Sequence, residues 1–369
     1  MVELNREIYK LSFSAFFADL GYQGLIALFP ILIVVHYAAP VYYYGLLEAL
    51  NYGVGSLVGF VGGMAADRWG RRKVALIGNS MILLMSFSAL PYSLPLSAAL
   101  FIGGWWMRNF RTPARRAMLT EVATGQELKR ALGLLHSLDV GGGTASVILL
   151  SYLLYIQLKL SEVFLSTAIF FFLSTFILFT STSGKKSSNV RMKNKLKLST
   201  LGLTAGLFGL STYSFGFPVL TLFQASKSEP LSILSYAVFL LSSALVGVTV
   251  SRVSFSEVKI LALMGYGLAS LGNIIIGTLP HVGFVFLGSA ILGASTGVVE
   301  TMEPFLVTKF ASQESMGTSM GLLSLGRSLG LLSANAMMGF LYYFSPFYAY
   351  LYAFFASISA ALIVLTLSN

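Results

Sequence analysis

The chain contains no cysteine, and this absence excludes disulfide bonds, thiol catalysis and cysteine-ligated zinc or iron–sulfur centres. Histidine is also scarce, since only His36, His136 and His281 are present and they lie far apart in the sequence. A histidine-built metal site is therefore not expected. No Ser–His–Asp spacing and no phosphate-binding loop points to an enzyme, so we predict a non-enzymatic chain without metal or cofactor.

Charged residues are the second shortage. They make up 10% of the 369 residues, whereas a soluble protein carries about 25%. Hydrophobic residues account for 56%, and the mean hydropathy is +0.79. Because a membrane-spanning helix needs about 20 apolar residues, a chain of this length and composition has no room for a soluble catalytic domain. The net charge of +10 is explained by membrane topology and anionic lipids, so no nucleic-acid partner is expected.

Long apolar runs are what the sequence does contain. They are continuously apolar rather than alternating, which favours helices over the strands of a barrel. The runs predict an all-α membrane protein with twelve transmembrane helices. The predicted spans are 11–36, 42–66, 74–94, 96–116, 130–157, 161–182, 199–223, 231–250, 258–279, 282–307, 317–343 and 346–367.

The basic residues indicate which ends of these spans lie on the cytoplasmic side of the membrane. They cluster in the loops that follow even-numbered spans, whereas the opposite side carries only Lys159 and Lys227. Lysine and arginine concentrate on the cytoplasmic side of membrane proteins. The pattern therefore predicts a multi-pass protein of the cytoplasmic membrane with both termini in the cytoplasm.

Two halves are indicated by a polar, basic segment at the midpoint of the chain and by a weak internal repeat. Gly133, Asp139 and Gly142 correspond to Gly321, Arg327 and Gly330 at a constant offset of 188 residues. We predict an N-terminal six-helix bundle at 1–183, a cytoplasmic linker at 184–198 and a pseudo-symmetric second bundle at 199–369. The linker is interpreted as a solvated loop, with a lipid contact as the alternative.

A charged motif, GMAADRWGRRK, follows span two. It resembles the loop signature G-x-x-x-D-R-x-G-R-R-K of the major facilitator superfamily. The resemblance implies two bundles that rock about a central site with alternating access, and a motif that latches the halves together on the cytoplasmic side. The residues of this gating motif are Gly63, Asp67, Arg68, Gly70, Arg71, Arg72 and Lys73.

Three residues of the motif also have a physical interpretation. Gly63 permits close helix approach, and Gly70 permits a sharp turn. Asp67 can cap a neighbouring helix or pair with Arg71 or Arg72.

A second resemblance is carried by the segment RNFRTPAR at 108–115 and by Asp139 in span five. Both features are similar to those of a subgroup of the same superfamily that is found in bacteria and archaea. Span five has no Gly-Pro pair, so the antiporter signature of drug exporters is absent. The resemblance therefore leaves the substrate open.

Ionisable groups at membrane depth mark substrate or proton paths. The proton-coupling candidates are Asp19, Asp139, Glu300, Glu303 and His136. His136 shares a helical face with Asp139, and we expect Arg108 to lie across from them; a static ion pair is the alternative. Glu300 and Glu303 lie one turn apart and can share a proton. Alternatively they neutralise Lys309 at the cytoplasmic exit, which fits Glu303 better.

Polar and aromatic residues within spans form a second set, the substrate-cavity candidates. These are Tyr22, Gln23, Glu48, Asn51, Arg108, Phe215, Arg327 and Asn335. Asp19, beside Tyr22 and Gln23, could carry a proton, bind substrate or pair with an arginine. Glu48 is interpreted as an outer gate contact or a solvated rim residue. Arg327 could bind an anionic substrate or pair with Glu300.

These features predict a monomeric secondary transporter whose partners are a small-molecule substrate, protons and membrane lipids. With few fixed polar groups, the cavity suits an amphipathic solute, and proton-coupled export is the first expectation. Proton symport or facilitated passage of a polar or anionic metabolite is the second. A sensor that no longer transports is the alternative from another class.

Overall fold

The structure is a computed structural model that describes residues 5–123, 125–182, 205–206, 208–250, 257–310 and 316–366. The described residues form helices and no strand. They divide into two compact units, one made of the described parts of 1–37 and 54–182, the other of 38–53 and the described residues from 205 onward. The predicted linker lies outside the described residues, and the predicted domain boundaries stay a prediction.

The helices of the first unit follow the predicted spans. They are α1 (Arg6–Pro30), continued by a π-helical turn (Ile31–His36), α2 (Val41–Trp69), α3 (Arg71–Met81), continued by a 3-10 helix (Ile82–Phe87), α4 (Leu94–Val122), α5 (Gly125–Tyr155), α6 (Leu160–Ser166) and α7 (Ala168–Phe179). The first turns of α2 count with the second unit.

The helices of the second unit are α8 (Gly216–Ser226), α9 (Glu229–Val250), α10 (Glu257–Ile260), a π-helical turn (Leu261–Tyr266), α11 (Gly267–Thr278), α12 (Val282–Phe310), α13 (Met316–Phe344) and α14 (Pro346–Leu365). Residues 205–206 and 208–211 are also helical.

Short polar residues begin several of these helices. The Asn5 side chain accepts a hydrogen bond from the Glu7 backbone N–H at 3.1 Å, and so caps α1. Ser345 caps α14 in the same way, and Pro346 occupies the first helical position, where no backbone N–H is needed. Within a helix the backbone N–H and C=O groups bond to one another, which is what a bilayer requires.

Eight helices in the described part of the chain are long and apolar enough to cross a membrane. The other predicted spans, 74–94, 96–116, 199–223 and 317–343, are not among them, although each is helical over much of its described length. α4, for example, carries Arg108, Arg111, Arg115 and Arg116. The chain is thus a multi-pass membrane protein, and the count of twelve spans stays a prediction.

Glycines set the spacing between neighbouring helices in each unit. A Cβ atom at Gly142 of α5 would collide with the Phe16 carbonyl of α1. In the second unit, a Cβ at Gly293 of α12 would collide with the carbonyl of Phe239 on α9. Such backbone-to-backbone approaches require a residue without a side chain. They bring polar side chains of adjacent helices within hydrogen-bonding distance.

Candidate functional site

Asp19 forms the centre of a polar cluster in the first unit. It lies on α1 and is 2% exposed. Its Oδ1 atom accepts hydrogen bonds from the Tyr22 hydroxyl at 2.5 Å and from Gln23 Nε2 at 3.1 Å, whereas no described donor reaches Oδ2. The three residues are spaced i, i+3 and i+4, so they share one helical face. The expected grouping of Asp19 with Tyr22 and Gln23 is present.

Arg108 reaches Asp19 through Tyr22 rather than directly. Arg108 Nε donates to the Tyr22 hydroxyl oxygen at 3.3 Å, and that hydroxyl in turn donates to Asp19. The guanidinium also lies over the rings of Tyr22 and Trp105, at 5.4 and 4.9 Å from their centroids, which is the geometry of a cation–π contact. Asp19 forms no ion pair with another described residue, so the predicted structural pairing with an arginine is wrong.

Asp139 is paired with a different arginine from the one expected. Its Oδ2 atom lies 3.5 Å from Arg115 Nη2, which joins α4 to α5. Arg108 forms no ion pair with Asp139 in the described residues, although the two charges lie near enough to interact electrostatically. His136 is exposed. The structure thus contains the alternative arrangement, an ion pair between α4 and α5, without a buried histidine beside it.

Sequence analysis did not single out Arg111 as a site residue. It lies on α4 between Arg108 and Arg115, is 0% exposed and donates from Nη1 to Asn79 Oδ1 of α3. Asn79 Nδ2 in turn donates to Thr175 Oγ1 at 2.8 Å. The spacing of the three arginines, i, i+3 and i+7, was a readable signal because it places them along one helical face.

The gating motif is arranged differently from the expectation. Asp67 is exposed, and no hydrogen bond or ion pair joins it to another described residue. The predicted pairing with Arg71 or Arg72 is wrong, because Arg71 forms an ion pair with Glu121 of α4 and Arg72 donates to the Phe179 carbonyl of α7. The other exposed charged members of the motif are Arg68 and Lys73. These contacts do not test the predicted latch between the two halves, which stays a prediction.

The glycines of the motif have separable roles. Gly70 has φ +98° and immediately precedes α3, which confirms the expected sharp turn. A Cβ at Gly63 would meet only Pro113, at an ordinary 3.7 Å, whereas a Cβ at Gly62 would collide with the Phe110 carbonyl. The close approach of α2 to α4 therefore occurs at Gly62, and its assignment to Gly63 is wrong.

In the second unit, Glu300 and Glu303 of α12 both pair with Arg327 of α13. Glu303 is 0% exposed and also accepts a hydrogen bond from the Tyr266 hydroxyl at 2.6 Å, whereas 57% of the Glu300 side chain is exposed. Glu303 is therefore the buried member of the pair, and the alternative in which the two acids neutralise Lys309 at the cytoplasmic exit stays a prediction. The side chain of Lys309 lies outside the described residues.

Glu48 is the buried acid at the start of α2. It is 1% exposed, so its interpretation as a solvated rim residue is wrong. It hydrogen-bonds with Tyr44, Asn51 and Ser214, and its Oε2 atom has no described partner. Asn335 Oδ1 accepts from the Ser214 backbone N–H at 2.8 Å. Glu48, Asn51 and Asn335 are thus brought together around Ser214.

Phe215 follows Ser214 in the chain, and its ring contacts other aromatic rings. Its ring packs against Tyr236 and Phe239, with centroid distances of 5.2 and 4.6 Å. It is 9% exposed and therefore forms part of an aromatic core beside α9. Among the described residues, no group of three His, Cys, Asp or Glu side chains is placed to hold a metal ion.

Sequence comparison supports the motif-based resemblance. The sequence profile of the Major Facilitator Superfamily matches residues 11–334. An uncharacterised MFS-type transporter of Methanocaldococcus jannaschii is 23% identical to this chain over an alignment 383 positions long. The alignment covers 98% of this chain and 95% of the relative.

Solved structures with the same fold include two kinds of transporter. A POT family transporter in complex with 5-aminolevulinic acid has a TM-score of 0.77 at 16% identity, with 98% of this chain and 95% of that chain covered. A mutant of the nucleoside transporter NupG has a TM-score of 0.78 at 12% identity, with 99% and 100% covered. The fold is that of a membrane transporter, and the chain belongs to the Major Facilitator Superfamily.

Proposed function

We propose that the protein is a proton-coupled secondary transporter that exports a small amphipathic solute across the cytoplasmic membrane by alternating access. The observation that carries the proposal is Asp19, a carboxyl group at membrane depth with one oxygen that no described donor reaches. Ionisable groups in this position are costly and by default belong to a substrate or proton path. The proposal includes cytoplasmic termini and a monomer.

The hydrogen bonds around Asp19 support its assignment as the proton-carrying residue. Tyr22 and Gln23 donate to Oδ1, so Oδ2 is the oxygen that is open to a proton. Arg108 reaches the same carboxyl group through Tyr22. We assign the exchangeable proton to the open oxygen of Asp19.

The surroundings of this carboxyl group support the proposed class of solute. The rings of Tyr22 and Trp105 lie 6.0 Å apart in an edge-to-face arrangement, and Arg108 lies over both. Aromatic faces beside a few fixed polar groups suit a solute with both apolar and polar parts. A sugar would need a denser set of hydrogen-bonding partners.

The second candidate function is proton symport of a polar or anionic metabolite. Arg108 favours it, because this partly exposed guanidinium forms no ion pair with another described residue. Arg327 would not contribute in this state, since Glu300 and Glu303 both pair with it.

The test uses purified protein in liposomes that contain a pH-sensitive dye. A panel of amphiphiles, sugars and organic anions is added to vesicles with wild type, Asp19→Asn or Glu162→Gln. Glu162 is the matched control because it is an exposed acid whose side chain caps α6. We expect one class of compound to move protons with wild type and with the control but not with Asp19→Asn.

The sign of the proton movement separates export from symport, and the class of active compound separates the two candidate solutes. Proton movement by Asp19→Asn equal to that of wild type would contradict the assignment of the proton to Asp19.

A further inference from the structure

α4 buries an unusual amount of positive charge within the first unit. Arg111 is 0% exposed and Arg115 is 5% exposed, and they lie one turn apart on the same face of the helix. A guanidinium group does not lose its proton in a protein. The cost of burying these two charges therefore cannot be avoided by deprotonation and must be offset by a partner of opposite charge.

The described partners do not satisfy the two guanidinium groups. Arg111 donates from Nη1 to the neutral amide of Asn79, and its Nε and Nη2 atoms have no acceptor. Arg115 Nη2 lies 3.5 Å from Asp139, and its Nε and Nη1 atoms have no acceptor. Four buried nitrogen atoms of two adjacent arginines thus have no described hydrogen-bond acceptor. Buried donors of this kind are normally paired.

The charges around Arg111 leave a net excess of one positive charge. The charged groups that act most strongly on Arg111 are Arg115, Asp19 and Arg108, and Asp139 pairs with Arg115. Three arginines therefore face two carboxylates. A single negative charge would balance the cluster.

We propose that Arg111 and Arg115 bind one small monovalent anion within the first unit. The charge count favours a monovalent ion over sulfate. The full burial of Arg111 favours a small ion, such as chloride or formate. The unpaired N–H groups supply charge-assisted hydrogen bonds to it. The site requires no bound solute and no moving proton; its charge balance counts Asp19 and Asp139 in their ionised forms.

Asp19 should oppose the anion, since it supplies one of the two negative charges of the cluster. Replacing Asp19 by asparagine raises the positive excess from one to two, so the anion should bind more tightly. This expected gain separates anion binding from proton coupling, where Asp19→Asn is expected to cause a loss. It also separates a specific site from general destabilisation.

The experiment measures the melting temperature of the purified full-length protein in detergent micelles. Sodium gluconate is replaced stepwise by sodium chloride, sodium formate or sodium sulfate at constant ionic strength. For wild type we expect a saturable rise of several degrees with chloride or formate, because a ligand that binds the folded state stabilises it. No saturable rise is expected with sulfate.

Variants test the site itself. Arg111→Gln and Arg115→Gln should raise the half-saturating anion concentration about tenfold or more, because each removes charge-assisted hydrogen bonds to the anion. Arg116→Gln, at the exposed neighbouring arginine, should bind as wild type does. Asp19→Asn should reach half-saturation at a lower concentration. If the arginine variants do not fold, the Asp19→Asn variant still tests the proposal, because it keeps both arginines.

Three results would overturn the proposal. The first is the absence of a saturable chloride or formate effect in wild type. The second is an equal effect in Arg111→Gln, which would show a general salt effect. The third is weaker anion binding in Asp19→Asn than in wild type.

Discussion

Buried acids in this chain are held in two different ways. Glu303 faces Arg327 and the Tyr266 hydroxyl, so both of its oxygens have partners. Asp19 accepts hydrogen bonds from neutral groups on one oxygen only. Partners thus hold both oxygens of Glu303 in place, whereas one oxygen of Asp19 has no described partner. We therefore separate a structural role for Glu303 from a transport role for Asp19.

The first prediction at the residue scale concerns the two glutamates of α12. Glu303→Ala should lower the free energy of unfolding by about 3 kcal/mol, because it removes the buried carboxylate that pairs with Arg327 and accepts a hydrogen bond from the Tyr266 hydroxyl. Glu300→Ala should cost less than about 1 kcal/mol, since this side chain is 57% exposed. Melting curves of the two purified variants provide the comparison, and equal losses would contradict it.

Sequence analysis identified the ionisable residues at membrane depth but not which of them are buried. Glu300 and Glu303 lie on the same side of α12 by their spacing, so the pattern could not say which one faces the core. That is decided by the position of Arg327 and Tyr266, which lie on other helices. In the same way, the partner of Asp139 depends on the placement of α4, which no local pattern fixes.

At the scale of helices, packing depends on which residue of a motif faces the neighbour. The family signature led us to expect the close helix approach at Gly63. It is instead a Cβ atom at Gly62 that would collide with the Phe110 carbonyl of α4. Successive residues point about 100° apart around a helix, so an error of one position changes the face. The motif located the contact along α2 but not the rotation of the helix.

The prediction at this scale compares two identical changes at adjacent positions. Gly62→Ala should destabilise the protein by about 1–3 kcal/mol, because its Cβ collides with backbone that cannot rotate away. Gly63→Ala adds the same atom against Pro113 at 3.7 Å and should change the stability little. The melting temperatures of both variants in detergent test this, and a larger loss at Gly63 would refute the assignment.

Long apolar runs predicted the helices well, but not their irregular turns. The predicted span 74–94 changes from α-helix to a 3-10 helix at Ile82–Phe87, and the span 258–279 contains a π-helical turn at Leu261–Tyr266. All these segments are apolar, so hydropathy does not distinguish one kind of helix from another.

For the whole molecule, the fold class and the family were predictable because they depend on features that persist along the chain. These are the apolar runs, the basic loops and one specific motif, and the family profile over residues 11–334 confirms the family. The solute could not be predicted, because the fold is shared by transporters of different solutes. The proposed function therefore rests on Asp19 and its neighbours rather than on the fold.

The most direct measurement of the central claim compares two kinds of solute flux in the same liposomes, using the active compound from the dye panel. Counterflow is measured at equal pH on both sides, and accumulation is measured under pH gradients of either sign. For Asp19→Asn the account predicts counterflow within a few-fold of wild type and no gradient-driven accumulation. Gradient-driven accumulation by Asp19→Asn at the wild-type level would contradict it.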